Sequence, residues 1–283
     1  MPELPDITVY VEALRERIVG QDLSSIRLTT PFLLRTVDPP IEALIGKRVD
    51  GIERSGKRIV IALDDDVFLV LHLMIAGRLH WFDRGRKVGA RGLLAAIEIP
   101  NGTLTLTEAG TKRRASLHVV RGRSGLDEHE RGGLEVLEAS LPEFAARVRS
   151  ENHTIKRALT DPRLLSGIGN AYSDEILHRA RLSPAKLTSR MSDAEMSQLY
   201  DAARAVLTEW TNRLRTDAAG GFPEHVTAFR DGMAVHGRYR QPCPVCGSPV
   251  LRIRYADNET NYCATCQTGG KPLADRALSR ILK

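Results

Sequence analysis

Four cysteines near the C-terminal end constrain this 283-residue chain more than any other feature of its sequence. They stand as Cys243-Pro-Val-Cys246 and Cys263-Ala-Thr-Cys266, with sixteen residues between the pairs. Asp6, Glu12 and Glu16 interrupt the opening segment, and no apolar run is long enough to span a bilayer, so neither a secretory leader nor a membrane span is expected. The chain therefore reads as cytoplasmic, where paired cysteines serve as thiolates rather than disulfides. Two CxxC knuckles at this separation match a tetrahedral four-thiolate zinc site. Four thiolates leave no coordination position open for water, so the zinc is expected to be structural, with Cys243, Cys246, Cys263 and Cys266 as ligands. Gly247 and Gly269 follow the knuckles as tight turns require, and Val250–Tyr255 alternates like one arm of a hairpin.

Charge is distributed toward the same end. The net charge is +6, and His236–Lys283 alone holds eight Lys/Arg against three Asp/Glu, a local +5. Smaller basic clusters lie at Arg84–Lys87, Lys112–Arg114 and Arg121–Arg123. Such runs are either solvated faces or phosphate contacts; an anionic partner is indicated, with nucleic acid ahead of an acidic membrane surface.

At 283 residues and 42% hydrophobic, the whole chain is long enough for two or three domains. Pro5 and Asp6 open a helical pattern carrying Ile7, Val11, Leu14 and Ile18 on one face, with Gly20 as its stop. From Leu23 to about Val120 the pattern turns to short β-rich runs such as Arg58–Leu63, Val67–Leu73 and Leu94–Ile99, the last followed by an Asn101-Gly102 hairpin signal. This reads as a β-sandwich. The polar, acidic stretch from Gly125 to Arg149 reads as a linker, and helices are predicted over Ile155–Leu159, Ala171–Ala180 and Ala194–Leu214. Gly167-Ile-Gly169-Asn170 precedes the second of these: either an ordinary turn or a place where backbone amides approach a phosphate, with Asn170 adding a side-chain donor. Asp217–Met233 reads as a loop.

The first residues carry a second candidate chemistry. Removing Met1 would expose Pro2 as a secondary amine, and an α-amino group, with an ordinary pKa of roughly 7.7 to 8.0, is partly unprotonated near neutrality. Met-Pro is also a common way for a protein to begin, so this feature gains force only from the others.

Met1-Pro-Glu-Leu-Pro5, Leu165-Ser-Gly-Ile-Gly-Asn-Ala-Tyr-Ser-Asp-Glu175 and the four-cysteine finger, in that order, resemble the formamidopyrimidine-DNA glycosylase and endonuclease VIII (Fpg/Nei) family over nearly the whole chain. Leu4 is more similar to the formamidopyrimidine branch. The resemblance implies an α+β multidomain fold: an N-terminal β-sandwich with an opening helix (1–132), a linker and helix-two-turn-helix domain (133–235), and a zinc-finger β-hairpin (236–283). It implies a monomer acting on damaged double-stranded DNA, in which Pro2 attacks the sugar of a flipped nucleotide and Glu3 serves as general acid and base. Lys57 matches a hairpin lysine that contacts DNA beside the lesion, although alone it reads equally as an exposed turn residue. Asn170 matches the phosphate-binding asparagine, with Gly167 and Gly169 beside it.

Departures accompany the matches. The family's finger arginine is replaced by Asn258, flanked by Asp257 and Glu259, which weakens the expected grip on phosphate while Arg252, Arg254 or Lys271 stand as substitutes. In the wedge that fills the gap left by a flipped base, Ile75 takes the methionine position beside Met74, Ala115 takes the phenylalanine position, and Arg113 remains. Two functions follow: a bifunctional DNA glycosylase and abasic-site lyase for oxidised or ring-opened bases, or a damage-specific DNA-binding protein with residual lyase activity. RNA or ribosome binding accounts for the finger but leaves Pro2-Glu3 unexplained.

Overall fold

The computed structural model describes residues 1–86, 88–89, 91–109, 112–224, 226–227, 229–255 and 258–274. The chain divides into two compact units, Met1–Arg131 with Thr211–Thr227, and Gly132–Trp210 with Ala228–Lys283.

The first unit is a β-sandwich entered through helix α1 (Leu4–Ile18). Its strands are β1 (Ser25–Leu28), β2 (Val49–Ser55), β3 (Arg58–Leu63), β4 (Val67–His72), β5 (Gly77–Asp83), β6 (Leu93–Ile99), β7 (Gly102–Glu108) and β8 (Ser116–Arg121), followed by the short helix α2 (Gly122–Asp127). Two antiparallel four-stranded sheets result, in the orders β1-β6-β7-β5 and β2-β3-β4-β8. The apolar stripe of α1 (Ile7, Tyr10, Val11, Leu14, Ile18) packs in the core with Ile59, Ile61, Leu69, Leu71 and Leu117 of the second sheet. The opposite face of that sheet is also covered: Val60, Phe68, Val70 and Val120 pack with Leu126 of α2. Burial on both faces explains why β3 and β4 read as continuous apolar runs rather than alternating ones. Residues 211–227 pack here too, with the Phe222 ring 5.6 Å from Tyr10 and Glu224 accepting from Trp81 N.

The second unit contains α3 (Leu141–Arg149), α4 (Ile155–Thr160), α5 (Asn170–Arg179) and most of α6 (Asp193–Ala218), then the hairpin β9 (Val250–Tyr255) and β10 (Asn258–Cys263) closed by α7 (Ala264–Thr268). The division at 131/132 lies one residue from the expected boundary at 132/133, whereas no division falls at 235/236. The helices and the finger share one unit, while the end of α6 and the segment after it go with the sandwich. The expected linker also differs, since 125–149 holds part of α2 and all of α3. Helix α3 starts at a Ser140–Glu143 capping box and buries only Phe144 and Val148, two anchors one turn apart that the surrounding charge concealed.

Candidate active site and nucleic-acid interface

Pro2 and Glu3 are buried at the N-terminus of α1. Glu3 and Asp6 form a capping box, in which Glu3 N donates to Asp6 Oδ2 at 2.8 Å. The helix dipole favours both carboxylates at this end. Burial pushes the terminal ammonium below its ordinary range; Arg78 and Lys57 push it the same way, and Glu3 and Asp6 oppose them. That amine belongs to Met1, which makes the Pro2 nitrogen an amide; a nucleophile at Pro2 requires removal of Met1.

Lys57 lies on the two-residue turn between β2 and β3, where Gly56 takes a left-handed φ of 60° and Ser55 pairs with Arg58. The fold thus brings Lys57 within electrostatic reach of the chain terminus. Without the resemblance, the hairpin signal alone would have left it a turn lysine. Met74 has a positive φ of 51°, and the next residue, Ile75, is 55% exposed in the turn between β4 and β5. Arg113 is exposed in the loop between β7 and β8. That loop is held by Glu108, whose Oε2 accepts from Arg114 N at 2.9 Å and Ala115 N at 3.0 Å. Ala115 is only 3% exposed and packs in the sandwich core, so it contributes nothing to a wedge.

In the second unit Gly167 has φ 78°, which a side chain rarely adopts, and Gly169 is the N-cap of α5. Ile168 between them is fully buried. Asn170 opens the helix, and its Nδ2 donates to the Glu259 carbonyl at 2.8 Å. An amide nitrogen has two hydrogens, so one such bond leaves the chemistry of a second donor to phosphate. Asp174 is fully buried and receives Lys156 Nζ at 2.5 Å, His236 Nδ1 at 2.8 Å and Asn261 N at 3.2 Å. Glu175 accepts from the backbone amides of Ala234, Val235 and His236. These carboxylates tie α5 to the finger. Their sequence signal, two acids on an otherwise buried helix face, is visible only once the burial is known.

The four cysteine sulfurs lie within 4.8 Å of one another, and among the described residues no other group of metal-ligating side chains converges this way. Two sulfur pairs are 3.4 and 3.9 Å apart. A tetrahedron with Zn–S bonds of about 2.3 Å has sulfur–sulfur edges of about 3.8 Å, so the donor set fits one zinc held structurally. His178 Nε2 lies 3.3 Å from Cys243 Sγ, and burial keeps that imidazole below its ordinary pKa, hence neutral and able to donate to a thiolate. Sequence spacing gave no hint of His178. At the hairpin Asn258 pairs with Tyr255, while the Asn258 side chain and all of Asp257 lie outside the described residues. Arg252 and Arg254 both engage Glu259 Oε2, each at 3.2 Å, and Arg252 also sits 4.0 Å over the Tyr239 ring. The two arginines expected to substitute for the absent finger arginine are thus partly neutralised.

Residues 1–120 match the model of the formamidopyrimidine-DNA glycosylase N-terminal domain, 135–217 that of the H2TH domain, and 240–269 that of a zinc finger found in FPG and IleRS. A formamidopyrimidine-DNA glycosylase of Heliobacterium modesticaldum is 30% identical over 282 residues, covering 94% of this chain and 100% of its own length. An uncharacterized formamidopyrimidine-DNA glycosylase-like protein of Mycobacterium tuberculosis is 41% identical over 151 residues, which is 53% of this chain and 94% of that one. The Lactococcus lactis Fpg solved with DNA containing an abasic site is similar in fold, with a TM-score of 0.82 at 24% identity over 94% of this chain and 99% of that one.

Proposed function

Because the chain belongs to the formamidopyrimidine-DNA glycosylase family, we propose that it is a DNA base-excision repair glycosylase with abasic-site lyase activity. Its substrate is damaged double-stranded DNA, and the bases it removes are oxidised or ring-opened. Once Met1 is removed, the Pro2 nitrogen attacks C1′ of the flipped nucleotide and the damaged base departs. The sugar ring opens to a Pro2 iminium, which acidifies the C2′ proton; its loss expels the 3′ phosphate and cuts the strand. Glu3 supplies a proton to the opening ring and assists the later transfers. Lys57 holds the DNA beside the lesion, and Asn170, with the Gly167–Gly169 turn, binds a backbone phosphate. Ile75 and Arg113 fill the gap in the stack, Asn258 provides a neutral contact at the finger, and the zinc supplies no chemistry beyond folding the hairpin.

The observation that carries this reading is the convergence at the chain terminus: buried Pro2 and Glu3 at the start of α1, with Lys57 among the charges that act on the adjoining Met1 amine. The protein works as a monomer in three functional regions, catalytic (1–132), helix-two-turn-helix (133–235) and finger (236–283), and resides in the cytoplasm with the nucleoid. Among the described residues no helix is long and apolar enough to cross a membrane.

Borohydride trapping on duplex DNA with a single abasic site tests the proposal. Protein lacking Met1 should form a covalent adduct, and Met1-retaining protein should not. No adduct from the processed form, or an undiminished one after Pro2→Gly, would overturn it. The partly neutralised arginines of the finger favour a second reading, a damage-specific DNA-binding protein with residual lyase activity. A panel of duplexes carrying single defined lesions separates the two: base release from any of them supports the enzyme, and binding without release supports the alternative.

A further inference from the structure

The outer face of the β2-β3-β4-β8 sheet carries a group of basic side chains that the proposed reaction does not use. Arg58 pairs with His72, His72 with Ser116, and Val70 with His118, which puts Arg58, His72 and His118 on one face. It is the face whose other end is covered by α2. His129, two residues beyond α2, lies with its ring centroid 4.5 Å from that of His118. Two polar atoms here are buried without a partner, Arg58 Nε and His118 Nδ1. Buried donors and acceptors in a folded protein are normally satisfied, so two orphans in one cluster ask for a ligand.

The charges around them define its sign. His72 is acted on by Arg58, Lys57, His118 and Arg131; His118 by His129, Arg58 and Arg35; His129 by Arg58, Glu128 and Arg131. Glu128 is the sole carboxylate among these neighbours. Burial is the largest cause of the depressed imidazole pKa values, and the surrounding cations add to it, leaving His72 and His118 at about 4. A divalent metal would be repelled by these cations, and among the described residues the only converging metal-ligand group is the cysteine cluster. An anion would be attracted, would accept from Arg58 Nε, and would draw protons onto the imidazoles.

We propose that Arg58, His118 and His129 form a phosphate-binding site that takes a backbone phosphodiester of DNA, separate from the groups assigned to the reaction. The proposal rests on the DNA-binding reading above and deepens it. The residues also conflict with a purely structural role, because like charges gathered around unpartnered atoms oppose folding. Replacing them should therefore move stability and binding in opposite directions.

The full-length protein and its Arg58→Gln and His118→Gln variants test this. Binding to an undamaged duplex is measured across salt concentrations, and the imidazole resonances are followed while inorganic phosphate or the duplex is added. Each variant should reduce the salt slope by about one unit. The melting temperature of Arg58→Gln should stay level or rise, and duplex should raise the pKa of His118 and His129. An unchanged slope with unmoved imidazoles would overturn the proposal, as would a lower melting temperature accompanying weaker binding. Imidazoles that answer inorganic phosphate while the slope stays unchanged would refute the DNA assignment. None of these readouts depends on chemistry at Pro2, so failure of borohydride trapping would overturn the enzymatic reading and leave this one standing on its own result.

Discussion

The side-chain amide of Asn170 donates to the backbone carbonyl of Glu259, 2.8 Å away, joining the first residue of α5 to the finger hairpin. Asn170 thus orders β10 and presents its remaining donor from one position. Asn170→Ala should remove both effects. A hydrogen bond to a charged group is worth about 1.5 to 3 kcal/mol, so duplex affinity should fall roughly 10- to 100-fold. Fluorescence anisotropy measures the loss, and zinc content should remain at one ion per chain.

Glu259 itself holds Arg252 and Arg254. Glu259→Gln keeps the backbone carbonyl that Asn170 uses but releases both guanidinium groups toward DNA. Affinity should rise and the salt slope should steepen by about one to two units, because each freed cation displaces a counterion from the duplex. Asn258→Arg should act in the same direction. A weakened Glu259→Gln complex would count against a phosphate-facing finger.

Removal of zinc should separate the two units' fates. The finger packs through His178 on Cys243, Gln267 on Leu182 and Cys263, and Asp174 on Asn261. Chelation or Cys263→Ser should therefore loosen the finger and abolish DNA binding while the sandwich keeps its β-sheet signal. Circular dichroism alongside binding assays checks this.

The acid limb of activity should lie low. Burial, aided by Arg78 and Lys57, disfavours an ammonium on Met1; a Pro2 amine exposed by removal of Met1 adjoins the same cations, so the trapping rate should hold up at pH values below an ordinary α-amine's range. Lys57→Gln removes one of the cations and should move the limb upward. A limb at or above the ordinary α-amine value in the wild type would contradict the burial argument.

Stability of the free protein should decline on acidification. His72 and His118 have folded pKa values of about 4 against an ordinary 6.5. Between these values the unfolded chain binds more protons than the folded one, so the two imidazoles cost no stability above pH 6.5 and an increasing amount as pH falls toward 4. Melting temperatures across this window should drop, and His72→Gln combined with His118→Gln should flatten the profile.

Much of this was legible in the sequence because it was local. Cysteine spacing specified the zinc ligands, and apolar runs specified β3, β4 and β6 to within a residue or so. Order and spacing of three motifs identified the family. Helix α3 was missed because two buried anchors cannot outweigh a charged surround, and the sequence put Ala115 at the wedge's phenylalanine position without telling that its side chain faces the core.

By itself, then, the sequence determined the fold class and the metal ligands, and it pointed to Pro2 and Glu3 as the proposed nucleophile and acid, since each depends on residue type and short spacing. Tertiary structure decided the rest. It brought Lys57 to the terminal amine, set Glu259 against the finger arginines, buried Asp174 and Glu175 against the finger, and gathered Arg58, His118 and His129 on one sheet face. These are contacts between residues far apart in the chain, made by strand register and helix packing, and no local pattern encodes them.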